Sequence, residues 1–315
     1  MKNPLRLGRA IPAFNFYNLE SLKAILTAAD GRPVICAASE SAIKYMGDDF
    51  LRDFAAPRCW LHLDHGRSID AVKHAIKLGF SSVMIDGSAL PFSENVKLTR
   101  AAVALAHKHN IPVEAELGTL SGFEEGVSGI REQGSRTEKN GIIPERNSPS
   151  LAKGWPPRSG GRGSGNNFTN PAQALQFVNA TACDSLAIAI GTSHGAYKGD
   201  GHLRFDILTA IRKLLPKTPL VLHGASTIPQ KYARILGLKG AEGIAPAEIR
   251  RAVKLGINKV NIDSDARLAW TAGLQSFISK DQKAGQPIFD PRAILAAATA
   301  EVIKLYKEDI KIICG

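Results

Sequence analysis

A chain of 315 residues with 44% hydrophobic and 22% charged side chains has the make-up of a globular protein with a sizeable core. Its apolar runs fall short of the about 20 residues that a membrane helix needs, and residues 1–10 lack the apolar stretch of a secretory signal, so a cytoplasmic protein with no membrane partner is expected. A formal net charge of +11 would suit a polyanion or an anionic small substrate, but the basic residues lack the aromatic interleaving of a single-strand binder, and nucleic acid is not expected.

In chain order, apolar β-rich runs predict strands at residues 13–16, 34–38, 60–64, 82–86, 112–117, 185–190, 220–223 and 259–262. Amphipathic segments at 19–30, 68–78, 92–109, 170–181, 204–215 and 246–255 predict helices between most of them. Such alternation implies parallel strands with crossover helices, and eight strands favour an α/β fold of the closed (β/α)8 TIM-barrel type as one domain over 1–315. No Gly-x-Gly-x-x-Gly follows the first strand, which argues against an open dinucleotide-binding sheet.

One stretch breaks the rhythm. Residues 127–168 are rich in Gly, Pro, Ser and basic side chains with almost no periodicity, a composition that cannot bury enough apolar surface to offset its ordering entropy. This basic insertion is expected to be disordered; a polyanion-binding arm is the functional alternative, and translated non-coding sequence a third. The cysteines, Cys36, Cys59, Cys183 and Cys314, have no metal-knuckle spacing and read as small buried thiols.

Three histidines each close an apolar run and precede a glycine: His65, His194 and His223. A single histidine there is more often a hydrogen-bonded neighbour of the core. Three in the same context point to a metal site, because strand ends form the catalytic face of a barrel and imidazoles are common Zn²⁺ ligands. His62 lies three residues before His65, so strand alternation puts it on the opposite face, as a structural residue. His74, His107, His109 and His202 fall in helical or loop contexts and read as surface groups.

Polar residues gather at the same strand ends: Asn15, Ser39, Asp64, Asp86, Glu116, Asn261 and Asp263. Helix N-capping is the ordinary reason for such residues after a strand, and Ser39 and Asp86 fit it nearly as well as a functional role. Small and hydroxyl residues after strands six, seven and eight, around Gly195, Gly224, Ser226, Asp263 and Ser264, can offer backbone N–H groups to phosphate, and Lys198 adds charge.

The strings Leu63-Asp64-His65-Gly66, Val83-Met84-Ile85-Asp86-Gly87-Ser88, Glu114-Ala115-Glu116-Leu117-Gly118, Ala189-Ile190-Gly191-Thr192-Ser193-His194-Gly195, Leu222-His223-Gly224-Ala225-Ser226 and Val260-Asn261-Ile262-Asp263-Ser264-Asp265 resemble the class II, zinc-dependent fructose-bisphosphate and tagatose-bisphosphate aldolases over nearly the whole chain outside 127–168. The resemblance implies that His65, His194 and His223 bind a catalytic Zn²⁺, with Asp86 and Glu116 as acidic residues where the ion takes alternative positions; a monovalent cation is a further candidate. It implies that Asp64 exchanges a proton with the C4 hydroxyl and that Asn261 orients the enediolate. Gly195, Lys198, Gly224, Ser226, Asp263 and Ser264 would hold the phosphate of the dihydroxyacetone-phosphate half, with Asn15 and Ser39 facing the other half. Arg292 matches an arginine that reaches a neighbouring subunit's ligand, which implies a homodimer or homotetramer. The family takes a proton-transfer carboxylate from the loop after strand five, which assigns Glu124, with Glu125 as the alternative. Here Ser121 and Glu125 depart from the family's Gly-Gly-x-Glu-Asp, so the hinge of that loop differs.

The expected substrate is a phosphorylated sugar, fructose 1,6-bisphosphate first. Tagatose-bisphosphate cleavage is the alternative within enzymes, and a non-catalytic barrel with a polyanion-binding insertion is the alternative outside them.

Overall fold

The computed structural model of the protein describes residues 5, 8–55, 57–119, 121–122, 168–194, 202–283 and 290–315, with the backbone alone at 121–122, 193–194 and 281–283. Glu124, Glu125, Gly195, Lys198 and all but the last residue of the 127–168 insertion lie outside them.

Eight strands close into a parallel barrel: β1 (Ile11–Asn15), β2 (Ile35–Ser39), β3 (Trp60–Gly66), β4 (Ser82–Ile85), β5 (Val113–Leu117), β6 (Ser185–Ile188), β7 (Leu220–Leu222) and β8 (Ile257–Ile262). Each pairs with its neighbours in sequence, and β1 meets β8 with Ala13 opposite Asn261, so no sheet edge is left. The expected TIM barrel is the fold. Helices occupy the connections between strands, including Leu19–Ala29, Ile69–Lys77, Phe92–Ala106, Pro171–Thr181, Phe205–Leu214 and Pro246–Lys254.

Local chemistry sets these helix ends. Asn18 and Ser21 form a reciprocal capping box, and Ser68 and Asn170 accept first-turn N–H groups. Pro171, Pro246 and Pro291 each stand in a first turn, where a missing N–H costs nothing. Two long C-terminal helices, Ser264–Lys283 and Pro291–Cys314, were not read from the sequence. The second docks beside β1, with the Tyr306 ring 4.1 Å from Phe14 and its hydroxyl donating to the Asn15 carbonyl at 3.2 Å.

Strand alternation divides two kinds of core. Phe14, Cys36, Leu61, Leu63, Val83, Ile85, Leu186, Leu222 and Val260 face outward and merge with the helices into the main apolar cluster. Inside the barrel, Ile11, Ala13, Ile35 and Trp60 fill the N-terminal end, and Met84, Ala187 and Val221 form a second small cluster. Beyond these layers the interior becomes polar, which is where the site lies.

Cys36, Cys59 and Cys183 are buried as expected, but Cys314 is exposed because it ends the last helix, where no layer covers it. His74 and His107 are surface groups, paired with Asp48 at 3.0 Å and Asp184 at 2.8 Å.

Candidate active site

The site begins with a break in strand pattern. Trp60, His62 and Asp64 alternate inward along β3, which by itself would turn His65 outward. His65 instead has φ 47°, and the pairing of β3 with β4 shifts between Leu63 and Gly66. A side chain at Gly66 would come within 2.7 Å of both the Leu63 side chain and the Met84 carbonyl, so this turn admits only glycine there. The irregularity brings His65 into the barrel beside Asp64, and His62 and His65 therefore share the interior rather than opposite faces.

His65 and His223 meet at the C-terminal mouth. His65 Nε2 stands 3.0 Å from His223 Nδ1. The other ring nitrogens are each held by a carboxylate, His65 Nδ1 by Asp86 at 2.8 Å and His223 Nε2 by Glu114 at 2.8 Å. Those carboxylates accept, so each ring carries a proton on the far side; a second proton on His65 Nε2 is donated to the His223 Nδ1 lone pair, and a cation that displaced this proton would meet two facing lone pairs. Two ligand nitrogens on a tetrahedral Zn²⁺ with bonds of about 2.0–2.1 Å would stand about 3.3 Å apart, close to this separation.

Charge favours a cation at the same point. Burial alone would lower the pKa of His65, but Asp64, Asp86 and Glu116 outweigh it and hold it at about 10. Burial would raise Asp64, yet His65 and His223 keep it well below the usual carboxylate range; Asp86 behaves likewise through its bond to His65. The carboxylates thus surround the two facing nitrogens with negative charge that favours exchange of their shared proton for a cation, and Asp64, His65 and His223, or His65, Asp86 and Glu116, lie close enough to share one ion. The residues fit a zinc site.

Asp64 is oriented by two amides. Asn15 Nδ2 donates to one oxygen at 2.8 Å and Asn261 Nδ2 to the other at 3.0 Å. Asn15 Oδ1 and Asn261 Oδ1 are buried with no hydrogen-bond partner among the described residues, acceptors that a substrate hydroxyl can satisfy. Ser39 caps helix Glu40–Met46 by accepting the Ala42 N–H, so its capping role is real. Asp86 caps no helix: the next begins at Phe92 after Pro91, and Asp86 instead takes the Ser88 N–H and the His65 ring.

His194 pairs through its backbone. Ser193–His194 forms a short parallel ladder with Ser121–Gly122, with Gly122 opposite His194, so the loop after β5 starts against the third expected histidine. Gly224 and Ser226 follow β7, and Ser264 opens a helix after the adjacent β8, which puts turn backbone and a helix N-terminus side by side. Asp263 is engaged by Arg267 at 3.0 and 3.1 Å. Arg292 bonds Asp290 at the exposed start of the last helix and contacts none of the cluster among the described residues.

Sequence reasoning missed three residues. Glu114 and Lys259 form a buried pair behind His223. Asp265 accepts from Thr227 N, Thr227 Oγ1 and Ile228 N at 2.6–3.0 Å, tying down the turn that holds Gly224 and Ser226. No sequence signal separates them from ordinary strand and cap residues, because each acquires meaning only from a partner on another strand or loop.

A parallel barrel whose C-terminal mouth gathers histidines and carboxylates beside a turn and a helix N-terminus has the arrangement of a barrel enzyme's active site, with a donor set that fits a metal ion. Residues 4–315 match the family model described as fructose-bisphosphate aldolase class-II. The chain is 39% identical to a fructose-bisphosphate aldolase of Thermus caldophilus, covering 97% of this chain and 93% of that protein. It is 38% identical to one of Treponema pallidum, covering 98% and 92%. Among solved structures, it superposes on the YdjI aldolase of Escherichia coli K12 with a TM-score of 0.67 at 28% identity, covering 98% of this chain and 93% of that one. The chain belongs to the class II fructose-bisphosphate aldolase family and is an aldolase.

Proposed function

We propose that the protein cleaves fructose 1,6-bisphosphate reversibly to dihydroxyacetone phosphate and glyceraldehyde 3-phosphate with the help of Zn²⁺. The convergence of His65 Nε2, His223 Nδ1 and Asp64 at the barrel mouth carries the reading. His65, His223 and His194 would hold the ion, with Asp86 and Glu116 as its acidic surround. When bound, Zn²⁺ supplies Lewis-acid stabilisation of the negative charge that develops on the substrate as the bond breaks.

The chain's own residues do the rest. Asp64, kept ionised and held at both oxygens by Asn15 and Asn261, takes the proton of the C4 hydroxyl. The C3–C4 bond then breaks, the aldehyde leaves, and its electron pair remains on the other half as an enediolate. Asn261 orients that enediolate, and Glu124, two residues beyond the Gly122 that pairs with His194, returns a proton to its carbon. N–H groups of the turn after β7 and of the helix opening at Ser264 bind the phosphate of this half, with Gly195, Lys198, Ser226 and Asp263, while Asn15 and Ser39 face the leaving half. Arg292 lies exposed and would serve a neighbouring subunit's ligand in a homodimer or homotetramer; sedimentation of wild type, with KM measured for Arg292→Ala, tests this.

A coupled assay of fructose and tagatose 1,6-bisphosphates, with and without chelator, tests the whole reading. Chelator-sensitive cleavage of the fructose ester is expected. Cleavage of the tagatose ester alone would reassign the substrate, and activity indifferent to chelator would overturn the zinc reading.

A further inference from the structure

Behind the mouth, the barrel interior holds a second polar assembly that the reaction does not touch. Lys259 Nζ, on β8, lies 2.8 Å from Glu114 Oε2 on β5 and 3.0 Å from His62 Nε2 on β3. His62 Nδ1 is 2.7 Å from Ser82 Oγ, which also accepts the Trp60 indole N–H at 2.8 Å. Lys259 is 0% exposed and Glu114 2%. An ion pair this deep is a poor device for stability, because stripping water from two charges costs several kcal/mol and an apolar pair of similar volume would serve packing at least as well. Met84, Ala187 and Val221 show that this barrel fills neighbouring interior positions with apolar side chains.

The connection to the cluster gives the pair its use. Glu114 spends one oxygen on Lys259 and the other on His223 Nε2 at 2.8 Å. An imidazole has two tautomers and free rotation about two bonds; an acceptor at Nε2 fixes the proton there and turns Nδ1 toward His65. We propose that Glu114 is the positioning residue of His223, presenting its Nδ1 lone pair to the ion, and that Lys259 in turn locks Glu114 in the orientation that does so. The inference rests on reading the cluster as a metal centre. His62 completes the lock from the other side of Lys259; burial, then the Lys259 charge, pushes its pKa down to about 3, so it stays a neutral acceptor for the ammonium.

Outer partners of ligand histidines are typically worth about 10–100-fold in metal affinity. The test therefore uses binding as well as rate. In the full chain, zinc affinity is measured by competition with a chromophoric chelator, the visible spectrum of the Co²⁺-substituted protein is recorded, and kcat and KM are determined. Glu114→Gln is expected to weaken zinc binding by about 10–100-fold and to alter the Co²⁺ spectrum, with kcat falling more than KM rises. Because Glu114→Gln leaves a buried ammonium unpaired, Glu114→Gln/Lys259→Met is made alongside. That double variant should recover thermal stability without recovering zinc affinity or the Co²⁺ spectrum. Wild-type affinity and spectrum in either variant would reduce the pair to packing and overturn the proposal. His223→Ala separates the two levels of inference: if it too binds zinc as wild type does, the metal reading of the cluster has failed, and not merely the role of Glu114.

Discussion

Asp64 shows how strongly single contacts define this site. Its two oxygens each accept an amide N–H, so Asp64→Asn would face two donors with one of its own and force an amide to turn. Asp64→Asn is expected to lower kcat by about 10²–10⁴-fold with zinc content unchanged, as loss of a general base does. Steady-state kinetics with metal analysis on the same sample check it. Asp309 makes a prediction of another kind, because its Oδ2 is buried with no hydrogen-bond partner among the described residues and its pKa is pushed well above the usual value by burial and by Asp265. Burial likewise pushes Asp265 up to about 6. A raised carboxyl pKa means that the folded state prefers the neutral form, so the associated stability is present at low pH and is lost as pH rises through the folded-state values. Asp309→Asn should therefore stabilise the protein by about 1–3 kcal/mol at pH 7.5, and the gain should close at about pH 2.5, where the wild-type carboxyl is neutral in both states. Paired thermal melts across that range decide it; an unchanged gain at low pH would reject the electrostatic account.

Among elements, the loop after β7 depends on a close approach from the segment that follows it. A side chain at Gly243 would collide with the Ser226 carbonyl, and Ile244 donates to that same carbonyl at 3.0 Å. Gly243→Ala is expected to cost about 1–3 kcal/mol as overpacking. It should also raise KM for the bisphosphate more than it lowers kcat, because the displaced turn carries the proposed phosphate site. Calorimetry and kinetics measure the two effects separately. Strand and helix placement was largely legible, as with the strand expected at 112–117 and found as Val113–Leu117, since periodicity reports a backbone's burial directly. The inward turn of His65 was not, because alternation predicts the reverse and only the irregular pairing with β4 overrides it.

For the whole molecule, metal binding and folding should be linked. A ligand that binds only the native state stabilises it by about 2.7 kcal/mol at one hundred times its Kd. Chelator-treated protein should therefore melt lower than the zinc-loaded form, recover with added Zn²⁺ in a concentration-dependent way, and lose that dependence in His223→Ala. Differential scanning calorimetry over a zinc series measures this, and a melting temperature indifferent to zinc would reject the linkage.

The sequence by itself determined the barrel, its strand count and the residue types at the strand ends, because hydrophobic period and capping chemistry are local properties of the chain. It also carried the family motifs that point to His65, His223, Asp64 and Asn261. Only the tertiary structure decided that Glu114 and Lys259 meet across β5 and β8, that Asp265 anchors the turn after β7, and that His62 and His65 share one interior. The physical reason is that a buried charge is defined by the partner that neutralises it, and closing the barrel brings Lys259 against Glu114 from 145 residues away in the chain.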